Sequence, residues 1–273
     1  MKKHKMLLKV IVALTGIALT ILILFFTPLW GTAILLSFLC ALCCYELCAA
    51  TGAVKDPAVL TVSMLCAVSM PWLWYFGVQA AALPLTGLLL LTAAFLIDVF
   101  RGRMGNSKTQ AFVFLGALVF PAFFAMLLPI LAGEHGKQLV LIPFIASWSA
   151  DTGAQLFGRC FGKRKLAPQI SPNKTMAGFW GGLLFGVVGM AVYAAVICFM
   201  KRPVHWVSLL AFGLVGALFG TVGDLFFSYV KREHGIKDFG ALMPEHGGVM
   251  DRFDSFIFVV PLFYVYMLVF PVA

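Results

Sequence analysis

The acidic residues of this chain are unevenly placed. Of its 11 Asp and Glu, six lie between positions 224 and 254: Asp224, Glu233, Asp238, Glu245, Asp251 and Asp254. Asp224, Asp251 and Asp254 offer three hard-oxygen carboxylates, a donor set suited to Mg²⁺, whereas the scarcity of accessible His and Cys disfavours zinc. Asp251 and Asp254 stand three apart and share a face if a helix begins there. Lys231, Arg232, Lys237 and Arg252 are interspersed with them. Carboxylates for a metal beside cations for phosphate oxygens make a metal–polyphosphate site. His246-Gly247-Gly248 supplies the close backbone approach that such a site needs. Glu233 reads as an ordinary solvated loop residue.

A second polar stretch, Ser171-Pro172-Asn173-Lys174-Thr175, precedes a helix expected from Met176. Backbone N–H groups at a helix N-terminus attract anions, and Lys174 adds charge, so the stretch is expected to contact phosphate. An ordinary helix cap is the plainer alternative. Asp151 and Asp224 each sit inside an apolar run. A carboxylate within a span costs about 2.5–3.5 kcal/mol on insertion scales, so it faces a cavity, a cation or a partner. Both are expected to line one cavity open to the cytoplasm, with pairing to a Lys or Arg as the structural alternative.

These residues must be held by something other than a soluble fold. The chain has 273 residues, 62% apolar and 11% charged, with a mean hydropathy of +1.00. So few charges cannot cover a water-facing surface, which excludes a soluble enzyme. The expected architecture is an all-α polytopic membrane protein with about nine spanning helices. They fall near 7–28, 31–50, 58–77, 82–100, 111–132, 139–158, 176–199, 205–230 and 254–271. The runs are too long and too uniformly apolar for barrel strands. The apolar run after Met1-Lys2-Lys3-His4-Lys5 continues without a small-residue cleavage pattern, so it reads as an uncleaved first helix.

Basic residues set the orientation. Lys2, Lys3, Lys5, Lys9, Lys55, Arg101, Arg103 and Lys108 share one side with Arg159, Lys163, Arg164, Lys165, Lys174, Lys231, Arg232, Lys237 and Arg252; only Lys137, Lys201 and Arg202 fall on the other. The N-terminus is therefore expected in the cytoplasm and the C-terminus outside. One membrane-embedded domain, 1–273, is expected, with N-terminal helices over 1–135 and catalytic helices and cytoplasmic loops over 136–273. The formal net charge of +9 suits anionic lipid or phosphate; no basic stripe with interleaved aromatics points to nucleic acid. Cys40, Cys44 and Cys48 share one face of an apolar helix, as packing residues. Gly178, Gly182 and Gly186, like Gly216 and Gly220, have the spacing of close helix approach.

The order Ser228-Tyr229-Val230-Lys231-Arg232, Lys237-Asp238, Pro244, His246-Gly247-Gly248, Asp251-Arg252-Phe253-Asp254 resembles the C-terminal motif of phosphatidate cytidylyltransferases, the CDP-diacylglycerol synthases. Asp151, the Phe161-Gly162-Lys163 turn, Ser171–Thr175 and Gly223-Asp224 also resemble that family. The resemblance is specific over residues 145–255. It departs at Glu245, where many bacterial members have Gly, and at Gln155, where an aromatic is common.

The resemblance implies an Mg²⁺-dependent enzyme of the cell's inner membrane, with its site facing the cytoplasm and a second cation left open. It converts CTP and phosphatidate into CDP-diacylglycerol and pyrophosphate, and members are often homodimers. Asp224 and Asp251 would be metal ligands with Asp254 close by; Ser228, Lys231, Arg232, Lys237 and Arg252 would fall in the nucleotide and phosphate site, beside Asp238. Two other readings stay open. One is a related CTP-dependent membrane enzyme acting on another lipid phosphate or lipid alcohol; the other is a transporter, which would spread its polar residues along a path across the membrane.

Overall fold

The computed structural model describes residues 22–52, 54–78, 111, 115–240 and 247–272. The span expected at 82–100, nearly all of that at 7–28, and Pro244, Glu245 and His246 lie outside the described residues. In chain order the elements are α1 (Leu29–Ala50), α2 (Pro57–Tyr75), a π turn (Leu115–Val119), α3 (Phe120–Ala125), α4 (Leu127–Ala132), α5 (Gly136–Leu139) and α6 (Leu141–Phe161). Then come β1 (Lys165–Ala167), β2 (Ser171–Thr175), α7 (Met176–Phe199), α8 (Trp206–Glu233), α9 (Met250–Phe253) and α10 (Phe256–Val269).

Five helical stretches among the described residues are long and apolar enough to cross a membrane: α1, α2, Leu115–Ala132, α7 and α8. The protein is a mostly helical, multi-pass membrane protein. Helix α6 has the length of a span, with 21 residues, but Asp151, Thr152, Gln155 and Arg159 interrupt its apolar surface. Helix α10 has 14 residues. At 1.5 Å per residue it reaches about 21 Å, less than the roughly 30 Å hydrocarbon core.

The chain divides into two compact units, Met1–Pro129 with Ile236–Arg252, and Ile130–Gly235 with Phe253–Ala273. In the first unit, Asp56 starts α2: its carboxylate accepts the Ala58 N–H at 2.9 Å, and Pro57 fills the first helical position, where a missing N–H costs nothing. Cys40, Cys43, Cys44 and Cys48 of α1 are buried free thiols, and the π turn packs on them through Gly116, beside Leu47 and Cys48.

In the second unit, α6, α7 and α8 approach through small residues. A Cβ placed on Gly178 would stand 2.8 Å from the Ala154 carbonyl of α6, one on Gly182 3.2 Å from that of Ala150, and one on Gly186 2.5 Å from the Gly213 carbonyl of α8. The glycine spacing thus serves packing within the chain. Membrane helices lack a hydrophobic drive toward one another, and close backbone contact is what holds them. On another face of α7, Leu184, Val188, Val192 and Val196 recur every four residues and are exposed, as a lipid-facing stripe should be.

Gly181 allows a direct test of this packing. A Cβ there would stand 2.9 Å from the Gly153 carbonyl and press into the Phe157 side chain. Overpacking of this kind costs about 1–3 kcal/mol. Gly181→Leu is therefore expected to lower the thermal midpoint of the detergent-solubilised chain by at least about 2 °C, while Leu184→Ala leaves it nearly in place. An unchanged midpoint for Gly181→Leu would contradict the close α6–α7 contact.

Between α6 and α7 the chain forms a β-hairpin. Strands β1 and β2 pair antiparallel, Lys165 opposite Thr175 and Ala167 opposite Ser171. The Met176 N–H donates to the Arg164 carbonyl at 2.9 Å, so the hairpin closes directly onto the first residue of α7.

Candidate active site

Helix α8 places Asp224, Ser228 and Lys231 four and then three residues apart, on one face. The Ser228 hydroxyl donates to Asp224 Oδ1 at 3.3 Å. Strand β2 brings Lys174 to the same carboxylate, with Nζ 2.5 Å from Asp224 Oδ2. Asp254 occupies the turn before α10, and its Oδ2 lies 3.9 Å from Lys231 Nζ, while its Oδ1 accepts the Ser255 N–H at 2.8 Å. Gly223 makes this arrangement possible: a Cβ there would stand 2.8 Å from the Asp254 carbonyl oxygen. The turn can therefore lie directly against α8. Asp151, exposed on α6, acts electrostatically on Asp254, as do Asp224 and Lys231.

The result is a lattice of alternating charge in a half-buried setting: two carboxylates, two ammonium groups, a hydroxyl and a third carboxylate nearby. The side chains of Lys174 and Asp224 retain 22% and 29% of their exposure, while the Lys174 ammonium itself is buried against the carboxylate. Arg232, also on α8, donates from Nε to the Ile170 carbonyl at 3.3 Å and ties the hairpin turn to the helix. Ser171 is half-buried and Asn173 exposed on β2. Thr175 caps α7, its Oγ1 accepting the Gly178 N–H at 3.1 Å. The plainer alternative for this stretch is thus realised at Thr175, while Lys174 reaches a carboxylate.

The remaining expected residues belong to the first unit. There the segment Ile236–Arg252 carries Lys237, Asp238, Gly247, Gly248, Asp251 and Arg252. Lys237, Asp238 and Arg252 are exposed, whereas Asp251 is buried. Asp251 Oδ2 accepts two backbone N–H groups, from Phe239 at 2.8 Å and from Gly248 at 3.0 Å. Gly247 has a φ of +80° and packs on Asp238 and Asp251, a conformation and a closeness open to glycine. His246 lies outside the described residues.

One residue of this segment's surroundings escaped the sequence reading. Glu46, 5% exposed within α1, accepts the Val249 N–H on Oε1 at 3.0 Å and the Met250 N–H on Oε2 at 2.8 Å. Its signal was present: a carboxylate inside an apolar run, the same anomaly that singles out Asp151 and Asp224.

Among the described residues no three His, Cys, Asp or Glu side chains converge as a ready-made metal cage. Mg²⁺ does not require one, since it commonly takes one or two carboxylates and completes its sphere with water and substrate phosphates. Asp224 and Asp254 supply that hard-oxygen donor set, so the residues present fit the ion.

Known proteins are similar to this chain over part of its length. Phosphatidate cytidylyltransferase of Bacillus subtilis (strain 168) is 41% identical over 131 residues, 48% of each chain. The same-named protein of Staphylococcus aureus (strain COL) is 46% identical over 129 residues, 47% of this chain and 48% of its own. That of Staphylococcus epidermidis (strain ATCC 12228 / FDA PCI 1200) is 45% identical over 129 residues. The matches span about half the length of these curated relatives. A model of the cytidylyltransferase family matches residues 7–270, and the chain belongs to that family.

Proposed function

We propose that the protein transfers the cytidylyl group of CTP to phosphatidate, giving CDP-diacylglycerol and pyrophosphate for phospholipid biosynthesis. The observation that carries this reading is the pair of ion pairs on one side of α8, Lys174–Asp224 and Lys231–Asp254. The relatives named above support it.

The nucleophile is a phosphate oxygen of phosphatidate, already anionic, so no Ser–His or Cys–His pair is needed to make one. That oxygen attacks the α-phosphorus of CTP; a new P–O bond forms, the α–β bridging bond breaks, and pyrophosphate leaves with its electron pair. The protein must hold two polyanions together and neutralise charge on the leaving group. Lys174 and Lys231, each already beside a carboxylate, can turn to phosphate oxygens when substrate arrives. Arg232, on the same helix as Lys231, is a further cation, and Lys237 and Arg252 are added from the sequence motif. Ser171, Asn173, Ser228, Asp151, Asp238, His246, Gly247 and Gly248 complete the proposed substrate contacts. Asp224 and Asp254 would hold Mg²⁺, with Asp251 added from the sequence motif. When bound, the ion supplies Lewis-acid neutralisation of phosphate charge; a second cation is compatible with the same residues.

We further read the whole chain as one membrane-embedded domain of about nine spans. Its N-terminus and its active site face the cytoplasm of the inner membrane, and a homodimer is its expected assembly. The one-sided distribution of basic residues supports the orientation, and the substrates require it: CTP arrives from water, while diacylglycerol tails stay in lipid. Incubating membranes containing the chain with labelled CTP and a lipid panel tests the substrate assignment. CDP-lipid formed from phosphatidate is expected. Product from a polyprenol or another lipid phosphate, and none from phosphatidate, would overturn it.

A further inference from the structure

We propose that Glu46 is a positioning residue that sets the backbone carrying Asp251, so that a helix near the start of the chain governs the C-terminal catalytic motif. The inference rests on the cytidylyltransferase reading for its functional consequence. Its structural basis lies wholly within the first unit.

Glu46 sits in α1, some two hundred residues before the segment it holds. Its two carboxylate oxygens take one N–H each from Val249 and Met250, the two residues immediately before Asp251. From the other side, Asp251 Oδ2 takes the N–H groups of Phe239 and Gly248. Four consecutive residues, Gly248 to Asp251, are thereby tied by two buried carboxylates. Gly240 and Gly248 press against Glu46 so closely that a Cβ on either would collide with its carboxylate. The pocket therefore fits the carboxylate on several sides.

The expense of this arrangement argues for a role beyond packing. A carboxylate within an apolar span is costly, and an apolar residue would fill the same volume at less cost. What the carboxylate does, and a Leu could not, is accept two adjacent backbone N–H groups at once. It fixes the direction in which the chain enters Asp251.

The test compares Glu46→Gln with the wild-type full chain in detergent. The Gln amide keeps the volume but turns an acceptor into a donor facing a backbone N–H. Expected results are faster amide exchange at 248–251, a global thermal midpoint lowered by a few degrees, and a kcat for CDP-lipid formation lowered about 10- to 100-fold. KM for CTP should change less than kcat. Wild-type exchange, or loosened exchange with wild-type kcat, would overturn the positioning role. If Glu46→Gln yields no folded protein, Gly240→Ala decides, because its new methyl presses on the same carboxylate and should reproduce both the exchange and the kcat effects; wild-type values for it would overturn the inference. Should the wild type itself form no CDP-lipid, the functional reading falls, and exchange at 248–251 in Glu46→Gln still decides the clamp.

Discussion

Asp251→Asn is expected to lower kcat for cytidylyl transfer by on the order of 10²–10³-fold or more, with little loss of folded protein. The two halves of that expectation have separate causes. Asn retains the size of Asp and one carbonyl oxygen, which can still accept from Phe239 and Gly248, the two N–H groups that Asp251 Oδ2 now holds. The segment should therefore stay in place, with amide exchange close to that of the wild type. What Asn removes is the negative charge, and with it the proposed part of Asp251 in holding a divalent cation. Steady-state kinetics together with a thermal midpoint check both halves. Near-normal turnover would remove Asp251 from the metal-holding residues, whereas loss of folded protein would show that its backbone anchoring dominates.

The second large effect is expected at Asp224. Asp224→Asn should lower kcat by on the order of 10²-fold. This carboxylate is the meeting point of Lys174 and Ser228, and its neutral replacement leaves the Lys174 ammonium without its counter-charge. Lys174→Ala should act differently, raising KM for CTP or phosphatidate more than it lowers kcat, because the part proposed for the lysine is to receive phosphate. The residues touch, so their effects should not add: the double variant is expected to lose less than the product of the single losses. Strict multiplicativity would show that the pair does not act as a unit. Unchanged KM and kcat for Lys174→Ala would remove Lys174 from the site.

How much of this was legible in the amino-acid sequence depends on the distance over which a feature is decided. Span-length apolar runs are local, and the expected limits 176–199 and 205–230 lie within a few residues of α7 and α8. The glycine spacing in α7 and the one-face spacing of Asp224, Ser228 and Lys231 are likewise local. The hairpin over 165–175 is not legible in the sequence because its strands have three and five residues, too few to show alternation, and Pro168 and Pro172 disguise them. The Lys174–Asp224 pair joins residues fifty positions apart. Pairing with a cation is one of the fates the sequence leaves open for Asp224, but nothing local names Lys174 as its partner. Glu46 shows the limit most clearly. Its anomaly was visible in CysCysTyrGluLeuCys, yet its role depends on backbone groups of Val249 and Met250, and backbone amides carry no sequence signature.

The most direct test of cytidylyl transfer uses the purified 273-residue chain in detergent with phosphatidate, CTP and Mg²⁺. Pyrophosphate release and CDP-lipid are measured together, with and without a chelator. Equimolar pyrophosphate and CDP-diacylglycerol are expected, both abolished by the chelator and restored by added Mg²⁺. Folded protein that forms no CDP-lipid from phosphatidate would contradict the proposed transfer.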